Sequence, residues 1–345
     1  MNGQTLRTRP DGSERPLHTA YDTALLDLDG VVYAGGSAID HAVESLGTAR
    51  AAGVHLAYVT NNALRTPAAV AEHLTELGVP AQPEDVITSA QAVARLIAEE
   101  VPPGAKVLAV GGEGLRAALR ERGLEPVDSA DDDPAAVVQG YGGPELTWGR
   151  LAEASLAVGR GVPWYASNTD LTIPSARGIL PGNGAAVAVV RIATGGEPRV
   201  AGKPQPPMHR ETILRTGAKR PLVVGDRLDT DIEGAYVGGV DSLLVLTGVT
   251  TPTQLVAAEP KHRPTYLAAD LRGLLTAHPD VEAEQGGNGF RCGGWTVSAD
   301  AERLRIDGAG DPYDGLRALC ATAWTAAGES ACELDAGKAL GQLGL

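Results

Sequence analysis

Short apolar runs alternate with segments of helical periodicity over most of this chain, from residue 21 to about residue 246. Strands are predicted over 24–29, 54–60, 106–110, 135–139, 221–225 and 242–246. Helices are predicted over 38–52, 66–77, 115–121, 151–158, 208–216 and 230–238. Strands that alternate with helices pair in parallel, and the crossover helices pack on the sheet. The pattern therefore predicts an α/β fold with a Rossmann-like parallel sheet.

The length of 345 residues predicts more than one domain, because a single hydrophobic core rarely serves so many residues. We expect a core formed by residues 21–84 and 193–277, interrupted by an α/β domain over residues 85–192. Residues 1–20 are polar and are predicted to form a flexible amino-terminal arm.

The last sixth of the chain differs in character. Residues 283–289 are polar and rich in glycine, which predicts a linker, and two strand-like runs follow over 290–297 and 301–306. Apolar residues then recur at the spacing of one helix face: Leu316, Leu319, Cys320, Ala323 and Trp324. We predict a small α+β domain over residues 283–345, which needs to pack on the rest of the chain or on another subunit.

Composition excludes several classes of protein. The formal net charge is −14 and no extended basic run occurs, which argues against binding to nucleic acid or to an anionic membrane surface. No apolar stretch is long enough to cross a membrane, and the polar first 20 residues do not form a secretory signal. The three cysteines match neither a metal-site spacing nor a disulfide framework. We therefore expect a cytoplasmic protein without membrane insertion.

Two acidic residues end the first predicted strand, in the sequence Asp27-Leu28-Asp29-Gly30. Because side chains alternate along a strand, Asp27 and Asp29 lie on one side and Leu28 on the other. Open α/β sheets bind their ligands at the carboxyl ends of strands, and two close carboxylates are unfavourable unless they share a cation or a proton. The pair predicts a metal-assisted site with one carboxylate as nucleophile, although these four residues alone favour a solvated turn.

Three further polar segments follow predicted strands or precede predicted helices. They are Thr60-Asn61-Asn62, Gly202-Lys203-Pro204, and 225–231 with acids at Asp226 and Asp231. Each alone has a simpler explanation as a turn, a surface loop or a helix cap. Together they supply a hydroxyl, amide donors, a cation and a second acidic pair, which are the groups that phosphoryl transfer requires.

In this order, the motifs DLDGV, TNN, GKP and GDRLDTD resemble the four motifs of the haloacid dehalogenase (HAD) superfamily. The segments ITSAQA (87–92) and VGGEGL (110–115) resemble those of class IIA members of that family. The resemblance implies a hydrolase that acts on a small phosphomonoester through an aspartyl-phosphate intermediate and uses Mg²⁺.

Spacing independently supports the class. Asp29 and Thr60 are only 31 residues apart, which leaves no room for a separate cap domain. Asn61 and Lys203 are 142 residues apart, which is enough for an α/β cap. This is where HAD class II proteins carry their C2-type cap, so the resemblance assigns residues 85–192 to it.

The resemblance implies a role for each acidic residue. Asp27 would be the nucleophile, and Asp29 would protonate the leaving alkoxide and then deprotonate the attacking water. The Asp27 and Asp226 carboxylates and the Asp29 backbone carbonyl would hold Mg²⁺. Asp231 would orient the water shell of the metal.

The resemblance also implies which residues bind the phosphate group. Thr60 and the backbone N–H of Asn61 would contact the phosphoryl oxygens, with Asn62 as a further amide donor. Lys203 would neutralise charge on the nucleophile and on the phosphate. In the cap, Asn168 and Asp170 would lie near the substrate, and a turn or a helix cap is an equally good explanation for these two residues.

The substrate is open on physical grounds. A class IIA core with such a carboxyl-terminal extension resembles an actinobacterial group of glycerol 3-phosphate phosphatases, whose extra domain is similar to a truncated acetyltransferase. Sugar phosphates, nucleoside monophosphates, pyridoxal phosphate and nitrophenyl phosphate are the alternatives. No [R/Q]-x-x-G-x-[G/A] loop follows residue 281, so we expect the extension to have a structural or self-association role. A homo-oligomer could form through the cap or through this extension.

Two other readings of the motifs fit less well. A phospho-receiver signalling module also uses acids, a threonine and a lysine, but in another order and in a chain about one third as long. A dinucleotide-binding enzyme needs G-x-G-x-x-G, and neither 182–184 nor 287–289 supplies the third glycine. His209 lies just after the Lys203 loop and is interpreted as a residue on a helix surface.

Overall fold

The computed structural model describes residues 7–175, 177–284, 289–300, 303–328, 331–332 and 334–345. The chain divides into two compact units. The flanking unit comprises the residues up to Leu56 and those from Ala218 onward, and the inserted unit comprises Ala57–Gly217. Within the described ranges, no helix has both the length and the apolar character that crossing a membrane requires.

The predicted alternation of strands and helices is confirmed. The chain begins with α1 (Leu17–Ala20), β1 (Thr23–Leu26), β2 (Tyr33–Ala34), β3 (Ser37–Ala38) and α2 (Ala42–Ala51). It continues, starting at the unit boundary, with β4 (His55–Thr60), α3 (Pro67–Glu76), β5 (Val86–Thr88), α4 (Ser89–Ala98), β6 (Lys106–Val110), α5 (Glu113–Glu121), β7 (Glu125–Val127), β8 (Ala136–Gln139), α6 (Trp148–Gly159), β9 (Trp164–Ala166), β10 (Thr172–Ser175), β11 (Gly178–Pro181), α7 (Asn183–Thr194), β12 (Arg199–Val200) and α8 (Pro206–Thr216). It ends with β13 (Pro221–Gly225), α9 (Glu233–Gly238), β14 (Asp241–Val245), α10 (Pro252–Val256), β15 (Tyr266–Ala268), β16 (Glu282–Ala283), β17 (Gly289–Cys292), β18 (Trp295–Ala299), β19 (Leu304–Gly308), α11 (Pro312–Ala327) and α12 (Gly337–Leu343).

Parallel strands form the centre of the flanking unit. They are arranged in the order β15-β14-β13-β1, and Leu26 at the end of β1 pairs with Val224 on β13. All four residues of β1 are buried. A strand buried along its whole length is typical of a parallel sheet that is covered on both faces. The carboxyl ends of β1 and β13 therefore lie side by side.

The inserted unit contains a second parallel sheet. Its strands are ordered β12-β9-β8-β6-β7, and they span residues 106–200, largely within the range predicted for the inserted domain. Its core includes Leu108, Val137, Trp164 and Val187, each at most 5% exposed. In the same unit, β4 and β5 form a parallel pair. The α/β class and the Rossmann-like architecture predicted from the sequence are confirmed.

The carboxyl-terminal residues form a small antiparallel sheet, β16-β17-β18-β19, and two helices. Leu316 and Trp324 of α11 belong to one buried cluster with Leu244, Leu255 and Leu267 of the parallel-sheet part. The Trp324 indole N–H donates to the Leu255 carbonyl over 3.1 Å. The small domain thus shares a core with the rest of the flanking unit, as its size predicts.

The structure corrects the prediction of a flexible amino-terminal arm over residues 1–20 in the part that it describes, residues 7–20. Leu17 is fully buried. The N–H groups of Asp11 and Ser13 donate to the carbonyls of Thr265 and His278, both over 2.8 Å. This segment is therefore held by long-range backbone hydrogen bonds, which its polar composition does not reveal. Residues 1–6 lie outside the described ranges.

Several predicted boundaries also change. The helix predicted over 38–52 starts only at Ala42, because the short hairpin β2–β3 occupies the residues before it. The strand predicted over 290–297 is two strands joined at Gly293-Gly294, where Gly293 has φ +55°. Positive φ is typical of such two-residue hairpin turns.

The helix predicted over 230–238 begins with a π-helical turn, Leu228–Ile232. Two other predictions fall partly outside the described residues. The ends of the predicted 283–289 linker belong to β16 and β17, and residues 285–288 lie outside the description. The first residues of the run predicted over 301–306 also lie outside it, and β19 begins at Leu304.

A buried histidine and a buried arginine lie where the small domain meets the parallel-sheet part. His278 and Arg317 are 4% and 6% exposed. The Arg317 guanidinium donates to the Leu267 carbonyl and to Nδ1 of His278, and it forms an ion pair with Asp314. Nε2 of His278 donates to the Gly273 carbonyl over 2.9 Å. Since both ring nitrogens have these partners, the ring is neutral in this arrangement.

The pH dependence of stability should reflect this histidine. Burial lowers the pKa of His278 to about 4, from an ordinary value of 6.5. Between these values the unfolded chain binds the proton and the folded chain does not, so folding stability decreases as the pH falls from about 7 to about 4. The expected loss is about 3 kcal/mol. Chemical denaturation across this pH range measures it.

The test variant is His278→Gln, in which the glutamine amide can keep a donor and an acceptor. It should reduce the pH dependence of the unfolding free energy. A wild-type slope in His278→Gln would show that other groups cause it.

Candidate active site

The first acidic pair follows β1 as the alternation of side chains predicts. Leu28 is 1% exposed, whereas Asp27 is half-buried and Asp29 is exposed. The Asp27 N–H donates to the Val224 carbonyl over 2.9 Å, which extends the pairing of β1 with β13. The chain then turns at Gly30, whose φ is +84°, a conformation that favours glycine. The two carboxylates are thus presented at the carboxyl edge of the sheet.

Three carboxylates converge at this edge. One oxygen from each of Asp27, Asp226 and Asp231 lies within 4.8 Å of the other two. Asp27 and Asp226 follow the neighbouring parallel strands β1 and β13, and Asp231 lies in the π-helical turn that comes next. Such close like charges repel one another unless a cation lies among them. A set of oxygen ligands is what Mg²⁺ and Ca²⁺ prefer.

The two downstream acids are more deeply buried than Asp27. Asp226 is fully buried and Asp231 is 1% exposed. Oδ2 of Asp226 accepts a hydrogen bond from the Val249 N–H over 2.7 Å, and Oδ2 of Asp231 accepts one from the Arg227 N–H over 3.2 Å. Backbone donors therefore fix the orientation of both carboxylates before any ligand binds.

Glycines surround these carboxylates closely. A Cβ atom at Gly248 would lie 1.9 Å from Oδ2 of Asp226, and one at Gly30 would lie 2.5 Å from the same oxygen. A Cβ atom at Gly225 would lie 2.2 Å from the Cβ atom of Asp231. Any side chain at these positions would displace a carboxylate. The backbone thus forms a close-fitting cradle around the oxygen ligands.

In the inserted unit, the polar residues at the end of β4 and just after it form a hydrogen-bonded turn. Thr60 is 4% exposed, and its hydroxyl oxygen accepts a hydrogen bond from the Asn62 N–H over 3.1 Å. Oδ1 of Asn62 accepts one from the Leu64 N–H over 2.7 Å. Turn geometry therefore accounts for part of the Thr-Asn-Asn pattern, as the simpler explanation predicts.

Asn61 joins this turn to the Lys203 loop. Its Oδ1 accepts a hydrogen bond from the Lys203 N–H over 2.8 Å, and its Nδ2 donates to the Lys203 carbonyl over 3.2 Å. The Lys203 ammonium donates to the Val59 carbonyl over 3.0 Å. A Cβ atom at Gly202 would lie 2.6 Å from Oδ1 of Asn61, so this approach requires glycine. The structure thus brings together two motifs that are 142 residues apart.

The two predicted cap residues also lie at Asn61. Nδ2 of Asn168 donates to the Asn61 carbonyl over 2.7 Å, and Nδ2 of Asn61 donates to the Asp170 carboxylate over 3.1 Å. Asn168 is 3% exposed, whereas Asp170 is half-buried. Oδ1 of Asn168 accepts the Asp170 N–H over 3.2 Å, so the predicted turn is also present.

Two residues that contact the site were not predicted from the sequence: Ser89 beside Asn61, and Gly248 beside Asp226. Ser89 is fully buried at the start of α4, and its hydroxyl donates to the Asn61 carbonyl over 2.6 Å. It belongs to the ITSAQA segment, which offered a signal. Gly248 follows β14 in a segment without charged residues, and nothing in that segment indicates its closeness to Asp226. His209 lies on α8, partly buried, and burial lowers its pKa.

Family models match three parts of the chain. Residues 24–125 match a haloacid dehalogenase-like hydrolase model, and residues 200–274 match a second, HAD-hydrolase-like model. Residues 292–345 match a GCN5-related N-acetyltransferase like domain. The first two matches include the four sequence motifs, and the third agrees with the predicted resemblance of the extension to an acetyltransferase.

Similar proteins cover most of the chain. A D-glycerol 3-phosphate phosphatase of Mycobacterium tuberculosis is 45% identical over 314 residues, which is 89% of this chain and 86% of that protein. An acid sugar phosphatase of Staphylococcus haemolyticus is 41% identical over 74% of this chain and 96% of its own length. A crystal structure of the glycerol phosphate phosphatase of M. tuberculosis with magnesium matches with a TM-score of 0.82 and 43% identity, covering 91% of this chain and 93% of that one.

Proposed function

Because the chain belongs to the haloacid dehalogenase-like hydrolase family and is a phosphomonoester hydrolase, we propose that it hydrolyses glycerol 3-phosphate to glycerol and phosphate with Mg²⁺. The convergence of Asp27, Asp226 and Asp231 is the observation that carries the chemistry. The substrate is supported by the 45% identity to the mycobacterial D-glycerol 3-phosphate phosphatase.

The residues at the carboxyl edge of the flanking sheet fit a magnesium ion. The ligands are oxygens, and the glycine cradle keeps the two buried carboxylates in place. We assign the Asp27 and Asp226 carboxylates and the Asp29 carbonyl as ligands, with Asp231 orienting bound water. When bound, Mg²⁺ would offset the negative charge of the carboxylates and of the phosphate.

Asp27 is the proposed nucleophile. One of its carboxylate oxygens attacks phosphorus, the bond between phosphorus and the ester oxygen breaks, and an acyl phosphate forms on Asp27. Asp29 gives its proton to the departing glycerol oxygen. Asp29 then takes a proton from water as the water oxygen attacks phosphorus, which releases phosphate and restores the Asp27 carboxylate. The exposure of Asp29 allows it to exchange protons with substrate and water.

The residues around Asn61 are proposed to bind the phosphoryl group. Thr60 supplies a hydroxyl, the Asn61 backbone and Asn62 supply N–H donors, and Lys203 supplies positive charge. These groups favour the transition state because its charge is spread over the phosphoryl oxygens. The hydrogen bonds between Asn61 and Lys203 support a common role for the two residues.

Phosphate release from a substrate panel tests this function. We expect the highest kcat/KM with glycerol 3-phosphate, and loss of turnover when a chelator removes Mg²⁺, restored by added Mg²⁺. The panel includes sugar phosphates, a nucleoside monophosphate, pyridoxal phosphate and nitrophenyl phosphate. The similarity to the acid sugar phosphatase makes sugar phosphates the second candidate. A higher kcat/KM for any of these, or full turnover in chelator, would contradict the proposal.

We assign a structural role to the carboxyl-terminal domain. Its long helix α11 starts at Pro312, which has no N–H, and the Asp311 side chain accepts the Tyr313 N–H. The start of a helix can bind the pyrophosphate of a coenzyme through its free N–H groups. At the start of α11 the Asp311 carboxylate occupies that position, so it would repel a pyrophosphate there. The core shared with the parallel-sheet part supports the same conclusion.

The proposal also covers the cap domain, the oligomeric state, the location of the protein and its partners. The residues over 85–192 form the cap that selects the substrate, and the cap or the carboxyl-terminal domain mediates a homo-oligomer. The location is cytoplasmic, which agrees with three free cysteines, all buried. The negative net charge of −14 supports a small-molecule substrate with no nucleic-acid partner.

A further inference from the structure

The Asn61 peptide and side chain are held by donors and acceptors from three other segments. Ser89 and Asn168 both donate to its carbonyl, over 2.6 and 2.7 Å. Its side chain contacts the Asp170 carboxylate and both backbone groups of Lys203. We propose that Asn168 and Asp170 are positioning residues, which act on the reaction through Asn61 and Lys203 and do not bind the substrate. This inference rests on the proposed function of Asn61 and Lys203.

Both polar side-chain atoms of Asn168 already have protein partners. The residue is 3% exposed. Its Nδ2 donates to the Asn61 carbonyl, its Oδ1 accepts the Asp170 N–H, and its carbonyl accepts Nδ2 of Asn183 over 2.7 Å. By binding the carbonyl of Asn61, it fixes the plane of the peptide that follows. That plane includes the N–H of Asn62, which donates to the hydroxyl of Thr60, one of the proposed phosphate-binding residues, over 3.1 Å.

Asp170 sets the orientation of the Asn61 amide. A carboxylate accepts hydrogen bonds and does not donate them, so it selects the rotamer in which Nδ2 of Asn61 faces it. Oδ1 then faces the Lys203 N–H, and Nδ2 also reaches the Lys203 carbonyl. With the amide reversed, both contacts to Lys203 would pair like with like. Asp170 therefore reinforces the orientation of the Asn61 amide that holds the Lys203 backbone.

A reciprocal exchange tests the role of Asp170. In Asn61→Asp, two carboxylates face each other, and we expect kcat to fall by about tenfold or more. Combining it with Asp170→Asn restores a donor opposite an acceptor between these two positions, while an oxygen of residue 61 still faces the Lys203 carbonyl. The recovery of kcat should therefore be partial, about tenfold relative to Asn61→Asp. Asp170→Asn alone keeps an acceptor and should lose less. A group that bound substrate would not regain activity by this exchange.

These variants change the charge of the site as well as the positions of its groups, and the two effects must be measured separately. A change of charge near an anionic substrate acts mainly on KM and weakens in high salt. A change of position acts on kcat, so kcat and KM are measured at low and high ionic strength. Asp131→Asn, at a side chain that is 82% exposed, is the matched control and should leave both constants unchanged.

Asn168→Asp tests the other positioning residue. The variant keeps the acceptor for the Asp170 N–H but places an oxygen against the Asn61 carbonyl. We expect kcat to fall by about tenfold or more, with a smaller change in KM and a cooperative thermal transition that shows a folded protein. Asn168→Ala, which removes the donor without adding charge, should also lower kcat more than it raises KM.

The outcomes separate this inference from the proposed function. Inactivity of the wild-type enzyme on all phosphomonoesters would overturn both. An active wild type, with single variants that keep wild-type kcat or with losses confined to KM, would overturn the positioning role and leave the phosphatase assignment intact. Failure of the exchange to restore kcat would overturn the role of Asp170.

Discussion

Replacing Asp27 with asparagine should lower phosphate release by roughly 10⁴–10⁶-fold, the range found when a nucleophile is removed from a cooperating site. An amide is a poor nucleophile and a weaker metal ligand than a carboxylate, so the variant loses both proposed roles of this residue. Asp27 is half-buried beside Asp226 and Asp231, and removal of one of three close negative charges should not destabilise the fold. Steady-state phosphate release, with thermal unfolding as a check of folding, measures the effect.

Asp229→Asn is the matched control for this experiment. Asp229 lies in the same turn as Asp231, but its side chain is 59% exposed and pairs with Arg227. We expect its kcat to stay within about twofold of wild type, as for most exposed ion pairs. Turnover by Asp27→Asn within tenfold of wild type would remove Asp27 as the nucleophile, whatever the control shows.

Local patterns were sufficient to predict most of the regular structure. The strand predicted over 221–225 matches β13, and that over 106–110 matches β6, because buried parallel strands are continuous apolar runs between turns. The alternation of side chains also predicted that Asp27 and Asp29 leave the strand on the side opposite the buried Leu28. These features depend only on neighbouring residues.

Features that depend on distant residues were missed or misplaced. Residues 7–20 are polar, yet backbone hydrogen bonds to Thr265 and His278 order them. The contacts of Asn61 with Ser89, Asn168 and Asp170 join segments that are up to 109 residues apart, and no local pattern encodes them. The resemblance to a family supplied the motifs, but the hydrogen bonds that connect them required coordinates.

The site in the flanking unit adds a second kind of long-range constraint. Three glycines, from the turn after β1, the end of β13 and the segment after β14, leave just enough space for Asp226 and Asp231. The acids are conspicuous in the sequence, whereas the absence of a side chain beside them is not. We therefore expect the proposed metal site to depend on Gly248 as well as on its ligands.

Gly248→Ala should therefore weaken Mg²⁺ binding by about 10–100-fold, as changes around metal ligands commonly do. The new Cβ would lie 1.9 Å from Oδ2 of Asp226, so the buried carboxylate must move away from it. The same oxygen accepts the Val249 N–H, and movement would weaken this hydrogen bond too. Calorimetric Mg²⁺ titration of the protein without substrate measures the binding directly, and kcat at saturating Mg²⁺ reports how far activity recovers.

Gly47→Ala separates this effect from a general response to replacing glycine. Gly47 lies within α2, is exposed, and a Cβ atom there would meet nothing within 4 Å. Its replacement should leave Mg²⁺ affinity unchanged and raise stability by up to about 1 kcal/mol, since alanine favours a helix. Wild-type Mg²⁺ affinity in Gly248→Ala would mean that Asp226 can shift without loss, and that the glycine cradle does not determine the position of the metal ligands.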